Sequence, residues 1–308
     1  MTTIYFIAHT RQRFLPRICQ ELYNINPDLK EQIEVVVLND MFHDINVTKV
    51  LETNFQNSGI KFSNIITDTY LSKSVLMSQS KSDFIIKHDE DIFMTTHGWN
   101  AFLSDLNRVN WITNALYAPV ISTGIPTIEL FLDTFVDPTT TKWLRSMMHG
   151  KDVGSHWGVD YSHAKYDEHD PYKFFFCVEH FVKHHYKGVH PIRFSLHMQK
   201  ILVDYVLTSD SWKAPKYDKN LVSIQRSTPY FCNSVFLIET SAYKRVIDGI
   251  LSGRYINDGF DEVGLNQMLN GNCNMPNVYN LNAVAIHPSY NSIGLEYNKI
   301  SEVFFENI

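Results

Sequence analysis

Along the first hundred residues, short apolar runs alternate with segments whose apolar residues recur at helical spacing. Ile4 to Ala8 predicts a buried strand, and Ile33 to Leu38 (IEVVVL) predicts a second that ends at Asn39-Asp40. A β-branched run without alternation suits a strand covered on both faces of a parallel sheet. Ile60 to Ile66 predicts a third strand. Asp83 to Lys87 (DFIIK) predicts a fourth, which stops at His88-Asp89-Glu90-Asp91. Between them, Phe14 to Tyr23, Asn46 to Asn57 and Leu71 to Lys81 predict helices, the last with Leu71, Val75 and Met77/Ser78 inward. Short strands alternating with helices imply right-handed βαβ units and layers of helix on a mostly parallel sheet.

The rest of the chain is less regular. A helix is expected from Trp99 to about Leu106 and a strand within Trp111 to Val120. Residues 137–220 are rich in His, Tyr, Trp and Lys and weak in periodicity. They read as an elaboration with one or two helices, one covering His197 to Leu207. Periodicity returns with a strand at Phe231 to Ile238 (FCNSVFLI), helices at Ser241 to Leu251 and Gly259 to Leu269, and a last strand, Asn282 to Ile286, ending at His287-Pro288. With no repeat, low-complexity tract or linker, the expectation is one domain over 1–308. Its first part, 1–98, forms one half. Residues 99–308 form the other, with the elaboration inserted at about 137–220.

Composition narrows the function classes. The chain has 308 residues, of which 44% are hydrophobic and 19% charged, as in a globular protein. A formal charge of −6 offers no bulk attraction to nucleic-acid backbones or anionic lipid, so neither partner is expected. No window reaches the roughly 20 apolar residues that span a bilayer, and the start, MTTIYFIAHTRQRF, lacks the pattern of a signal peptide. The four cysteines, Cys19, Cys177, Cys232 and Cys273, are far apart, which fits reduced thiols in a cytoplasmic protein. The first of the 13 glycines is Gly59, so no glycine-rich phosphate loop follows the first strand. That excludes dinucleotide-binding and P-loop enzymes, and it disfavours nucleotidyltransferases that make nucleotide sugars.

The clearest chemical feature is Asp89-Glu90-Asp91 at the C-terminal end of an apolar strand. Open α/β sheets bind ligands at that edge. On extended backbone Asp89 and Asp91 point the same way while Glu90 points away. Two hard oxygen donors suit Mg2+ or Mn2+, which retain positions for water and phosphate; the plain alternative is a solvated acidic turn. A phosphatase that opens on the same D-x-D would carry it on the first strand, with Thr or Val where this chain has Phe93.

The order of motifs resembles the GT-A glycosyltransferases, which use nucleotide-sugar donors. The resemblance rests on Ala8-His9-Thr10-Arg11 after strand one, Asn39-Asp40 after strand two, Lys73-Ser74 on the helix before DFIIKHDED, and then FCNSVFLI, NDGFDEVGLN and AVAIHPSYN. It implies a GT-A-like, Rossmann-type α/β/α sandwich with a mostly parallel central sheet and an inserted lobe rich in histidine and aromatic residues. The first half, 1–98, would bind the donor and the second the acceptor. The acidic triplet would hold the Mn2+ or Mg2+ that bridges the donor diphosphate, with Asp91 first, His287 completing the shell, and Asp89 on metal or ribose. Thr10, Arg11, Asp40, Lys73 and Glu90 would line the donor; Arg11, Asp40 and Lys73 can equally be ordinary surface charges. Asp261-Glu262 would face the acceptor, with Glu262 the preferred general base, although the family's usual order is Glu-Asp. A Gly-containing turn is also replaced here by Cys232-Asn233-Ser234.

The expected reaction is sugar transfer from a UDP- or GDP-linked donor to a hydroxyl of a saccharide or glycoconjugate. A non-catalytic carbohydrate- or nucleotide-binding protein of the same fold is the alternative. Nine of the 14 histidines lie between His149 and His197. Cys177, His180 and His184 share a helical face and make zinc conceivable, but a polar acceptor lobe is the better reading, with Trp157, Tyr161 and Trp212 as sugar platforms.

Overall fold

The computed structural model describes residues 1–105, 115–124, 127–148, 192, 196–217, 221–224, 233–255, 265, 277–288 and 295–308. They form two compact units. One comprises Met1–Pro119, Lys216–Arg226 and Asn233–Ala285, and the other Val120–Pro215, Ser227–Cys232 and Ile286–Ile308.

In the first unit the apolar runs become a parallel sheet. β1 (Thr2–Ile7) is buried along its whole length. It lies between β2 (Ile33–Asn39) and β4 (Phe84–Asp89), parallel to both, and β3 (Lys61–Ile66) adds to the far side of β2. β3 is an edge strand, and its exposed Ile65 and Ile66 follow from that place. Beyond β4 the direction changes. β8 (Val235–Glu239) runs antiparallel to β4 and to β6 (Leu116–Ile121). The order of the nine-stranded sheet is β3-β2-β1-β4-β8-β6-β9-β5, with β9 (Asn277–Ile286), β5 (Phe93–Met94), and β7 (Leu221–Ile224) paired to β9. The α/β class expected from the sequence is what forms, but the sheet is mixed: β1 to β4 are parallel, whereas β8 pairs antiparallel with β4 and β6, and β7 with β9.

The crossover helices have local causes. α3 (Ile45–Ser58) begins where the Asp44 side chain accepts the Asn46 N–H, and it ends at Gly59, whose φ of 78° suits the left-handed cap that only glycine adopts without strain. Thr48, Leu51 and Phe55 form its buried stripe. α4 (Tyr70–Ser78) is capped by Thr69, and α5 (Thr96–Ser104) by Thr95. α1 (Leu15–Gln20) packs on α3, whereas α4 packs on the helix Thr240–Leu251. Right-handed crossovers that change direction across the sheet place their helices on opposite faces, which accounts for the two sets. The inward face of α4 differs from expectation. Lys73, Ser74, Met77 and Ser78 are buried, while Leu71 and Val75 are only half-buried.

In the second unit, α6 (Thr127–Phe135) and α7 (Pro138–Met148) pack together, and the helices Leu196–Thr208 and Leu295–Asn307 pack on each other. Trp212 is 1% exposed and its Nε1 donates to the Val206 carbonyl at 3.0 Å. It belongs to this core, so it is not a sugar platform.

Candidate functional site

β1 departs to β2 on one side and is flanked by β4 on the other, so the topological switch lies between β1 and β4, where α/β sheets open a crevice at their carboxyl ends. The registers set Ile7 beside both Leu38 and Asp89. Ala8 to Arg11, Asn39-Asp40 and Asp89 to Asp91 therefore leave the sheet side by side.

Glu90 fastens two of these segments. Its carboxylate oxygens accept the backbone N–H of His9 at 2.6 Å and of Arg11 at 2.7 Å. Burial pushes its pKa up to about 8, against the pull of those two amides. Held this way, Arg11 is 6% exposed and its Nη1 donates to Oδ2 of Asp91. Asp89 is met from its own strand: Lys87, two residues earlier and fully buried, donates from Nζ to Asp89 Oδ1 at 2.8 Å and to the Asn233 carbonyl at 2.6 Å. The Asp89 N–H donates to the Ser234 carbonyl at 2.9 Å, so the Asn233-Ser234 turn braces the triplet.

The neighbouring strand end carries Asp40, whose Oδ2 is bonded to Nδ1 of His9. Lys73 reaches from α4 to donate to the Ala8 carbonyl at 2.5 Å. Burial lowers its pKa, while the charges of Asp40, Glu90 and Asp89 act in the opposite sense. Beneath lies His88, fully buried between Phe6 and Trp99 at ring separations of 4.8 and 5.4 Å. Its Nδ1 donates to the Asp89 carbonyl at 2.8 Å, which fixes the tautomer, and burial pushes its pKa down to about 4. This neutral ring is a floor for the triplet.

Of the residues expected to form the site, Arg11, Asp40, Lys73, Asp89, Glu90 and Asp91 gather at one sheet edge, and Thr10 is exposed on the loop between His9 and Arg11. Glu90 is turned inward to the β1 loop instead of outward to a donor. His287 is in the second unit. It is 5% exposed, its N–H donates to Ser122 Oγ at 3.0 Å, and its Nδ1 is 3.0 Å from Thr123 Oγ1. Asp261 and Glu262, the zinc candidates Cys177, His180 and His184, the platforms Trp157 and Tyr161, and most of the helix expected over Gly259 to Leu269 lie outside the described residues.

The sequence assigns no role of their own to Lys87 or to His9, which it shows only as part of DFIIK and of Ala8-His9-Thr10-Arg11. The signal for Lys87 was a lone cation in an apolar strand, which needs an anion on its own face; the nearest is two residues on, at Asp89. An open groove of about 720 Å³ elsewhere on this unit, lined by Arg17, Tyr23, Lys30 and Asn54 among others, includes none of the strand-end residues.

Among the described residues no three His, Cys, Asp or Glu side chains gather as a metal cluster. Asp89 and Asp91 offer two hard carboxylate donors of the kind a small divalent ion takes, and each is held by a cation of the chain, Lys87 and Arg11. Among the described residues no helix is long and apolar enough to cross a membrane.

No protein-family description and no curated protein matches the chain. Solved structures do. The chain is similar to GalNAc-T7 crystallised with UDP, GalNAc and Mn2+, at 12% identity and a TM-score of 0.31 over 39% of this chain and 22% of that one. It is similar to the mannosyltransferase PcManGT from Pyrobaculum calidifontis in complex with GDP-Man and Mn2+, at 8% identity and 0.47, over 98% of this chain and 60% of that one. It is similar to residues 1–349 of TarS from S. aureus at 13% identity and 0.34, over 67% and 70%. The chain spans less than two thirds of the first two of these structures, and all three TM-scores are below 0.5.

Proposed function

We propose that the chain is a metal-dependent glycosyltransferase that moves a sugar from a UDP- or GDP-linked donor to a hydroxyl of a glycan or glycoconjugate. The observation that carries this reading is the meeting of Asp89 and Asp91 with Arg11, Lys73 and Lys87 at the β1/β4 switch point. A diphosphate with a divalent counter-ion needs both cations and carboxylates in one crevice; Arg11, Lys73, Asp89 and Asp91 supply them, and buried Lys87 holds Asp89 in place.

In this reading Asp91 and Asp89 hold the ion, and Arg11 and Lys73 contact phosphate or ribose. Asp40, steadied by His9, accepts a base N–H. Mn2+ or Mg2+ supplies Lewis acidity that offsets the charge developing on the leaving diphosphate. Lys87 and Glu90 orient the triplet and the β1 loop without touching donor. Glu262 or Asp261 would take the acceptor proton as general base.

The test is release of nucleoside diphosphate from a panel of nucleotide sugars, with and without Mn2+. Metal-dependent release that disappears in Asp91→Ala supports the reading. Binding of a nucleotide sugar with no turnover by any acceptor would instead favour a non-catalytic binding protein.

A further inference from the structure

We propose that Arg11 is an internal counter-ion for Asp91 that makes loading of the divalent cation depend on the nucleotide. The inference rests on reading Asp91 as a metal ligand and adds how that ligand is kept until donor arrives.

The geometry behind it is specific. The Arg11 guanidinium is on the Asp91 carboxylate, and the two side chains are only 8% and 17% exposed. Arg11 is also fixed through its backbone, because Glu90 accepts its N–H at 2.7 Å and that of His9 at 2.6 Å. The guanidinium is thus delivered to Asp91 by a tethered loop; it is not a surface side chain that happens to fall nearby. Asp89 is treated in the same way by buried Lys87.

Two consequences follow. A cation that binds Asp91 alone must displace a charge-assisted hydrogen bond and take the carboxylate away from a guanidinium in a poorly solvated place. Metal by itself therefore binds weakly. A nucleoside diphosphate changes this, since phosphate oxygens match the planar fork of arginine. Arg11 transfers to the phosphate, Asp91 is released, and nucleotide and cation strengthen each other's binding reciprocally.

The experiment titrates Mn2+ alone into the full-length apo protein and follows the loss of the free-Mn2+ paramagnetic resonance signal. Arg11→Gln should bind Mn2+ about tenfold more tightly than wild type, within the range of ordinary coupling between sites. Arg11→Lys, which keeps a cation, should stay near wild type, and Asp91→Asn should remove the binding in either background. With UDP or GDP present, the advantage of Arg11→Gln should vanish. If Arg11→Gln does not fold, Glu90→Gln, which loosens the loop without removing the guanidinium, should show a smaller gain in the same direction. No gain in the variant that folds, with Asp91→Asn still abolishing binding, overturns the counter-ion role and leaves the metal site standing. Mn2+ binding that is unchanged in Asp91→Asn overturns the metal reading itself.

Discussion

The ammonium of Lys87 lies 2.8 Å from Oδ1 of Asp89, although Lys87 is fully buried in the centre of the sheet. A buried cation is tolerated only with an anion and further acceptors, and Lys87 has both Asp89 and the Asn233 carbonyl. Removing one partner of such a pair leaves a stranded charge. Asp89→Asn, which takes the opposing charge from a fully buried ammonium, should therefore lower stability by about 3 kcal/mol. Lys87→Met combined with Asp89→Asn should cost clearly less than the sum of the two single changes. Urea unfolding of the four proteins measures this, and simple additivity would show that the two groups do not act as a pair.

Glu90 predicts a dynamic effect. Its carboxylate holds two backbone amides of the β1 loop, so Glu90→Ala should free the His9 and Arg11 amides to exchange with solvent. The loss of two hydrogen bonds to a buried group corresponds to about 2–3 kcal/mol. Hydrogen exchange resolved to residues 8–12 is the measurement, and unchanged protection there would contradict the tether.

A second buried network provides a control away from the crevice. Tyr117 Oη donates to Asp105 Oδ2 at 2.6 Å, and Asn280 Nδ2 donates to the same oxygen at 2.8 Å. Asn280→Leu strips a donor from a carboxylate that is 4% exposed and should cost about 2 kcal/mol. Thermal stabilisation by nucleotide should survive it. Loss of nucleotide response would mean that the two regions are coupled.

Glu21 sets an acid limit. Burial raises its pKa, but hydrogen bonds from Arg17 and Thr96 outweigh that, and the net shift is below the ordinary 4.5. The sign follows: a carboxylate depressed on folding stabilises above its unfolded value, and the contribution is lost as pH falls through the folded one. Glu21→Gln should be about 1 kcal/mol less stable at pH 7 and should lose less stability between about pH 5 and 3. Denaturation midpoints over that interval give the answer; parallel curves for variant and wild type would refute the assignment.

How much the sequence revealed varied with the signal. β1, β2 and β4 were legible because a strand covered on both faces must be a short apolar run, as in Ile33 to Leu38. α6 and the helix Leu295–Asn307 escaped notice, although Ile128, Phe131, Leu132 and Phe135 repeat at helical spacing. β5, with two residues, and β7, with four, are too short to carry a period. The inward face of α4 is turned away from Leu71 and Val75 because Lys73 reaches the Ala8 carbonyl just past the end of β1. At the site, the acidic triplet was visible in one dimension. The pairing of Arg11 with Asp91 was not, since Arg11 comes 80 residues before Asp91 and meets it only through the β1/β4 register.

On the proposed reading this crevice binds a nucleoside diphosphate together with a divalent cation. Thermal unfolding with UDP or GDP, each with and without Mn2+, is the decisive measurement, because a ligand confined to the folded state raises stability by mass action. One of the two nucleotides should stabilise the protein only when Mn2+ is present, by about 2.7 kcal/mol at a hundredfold excess over Kd, and the effect should be lost in Asp91→Asn. No response to either nucleotide, or the same response in Asp91→Asn, would contradict it.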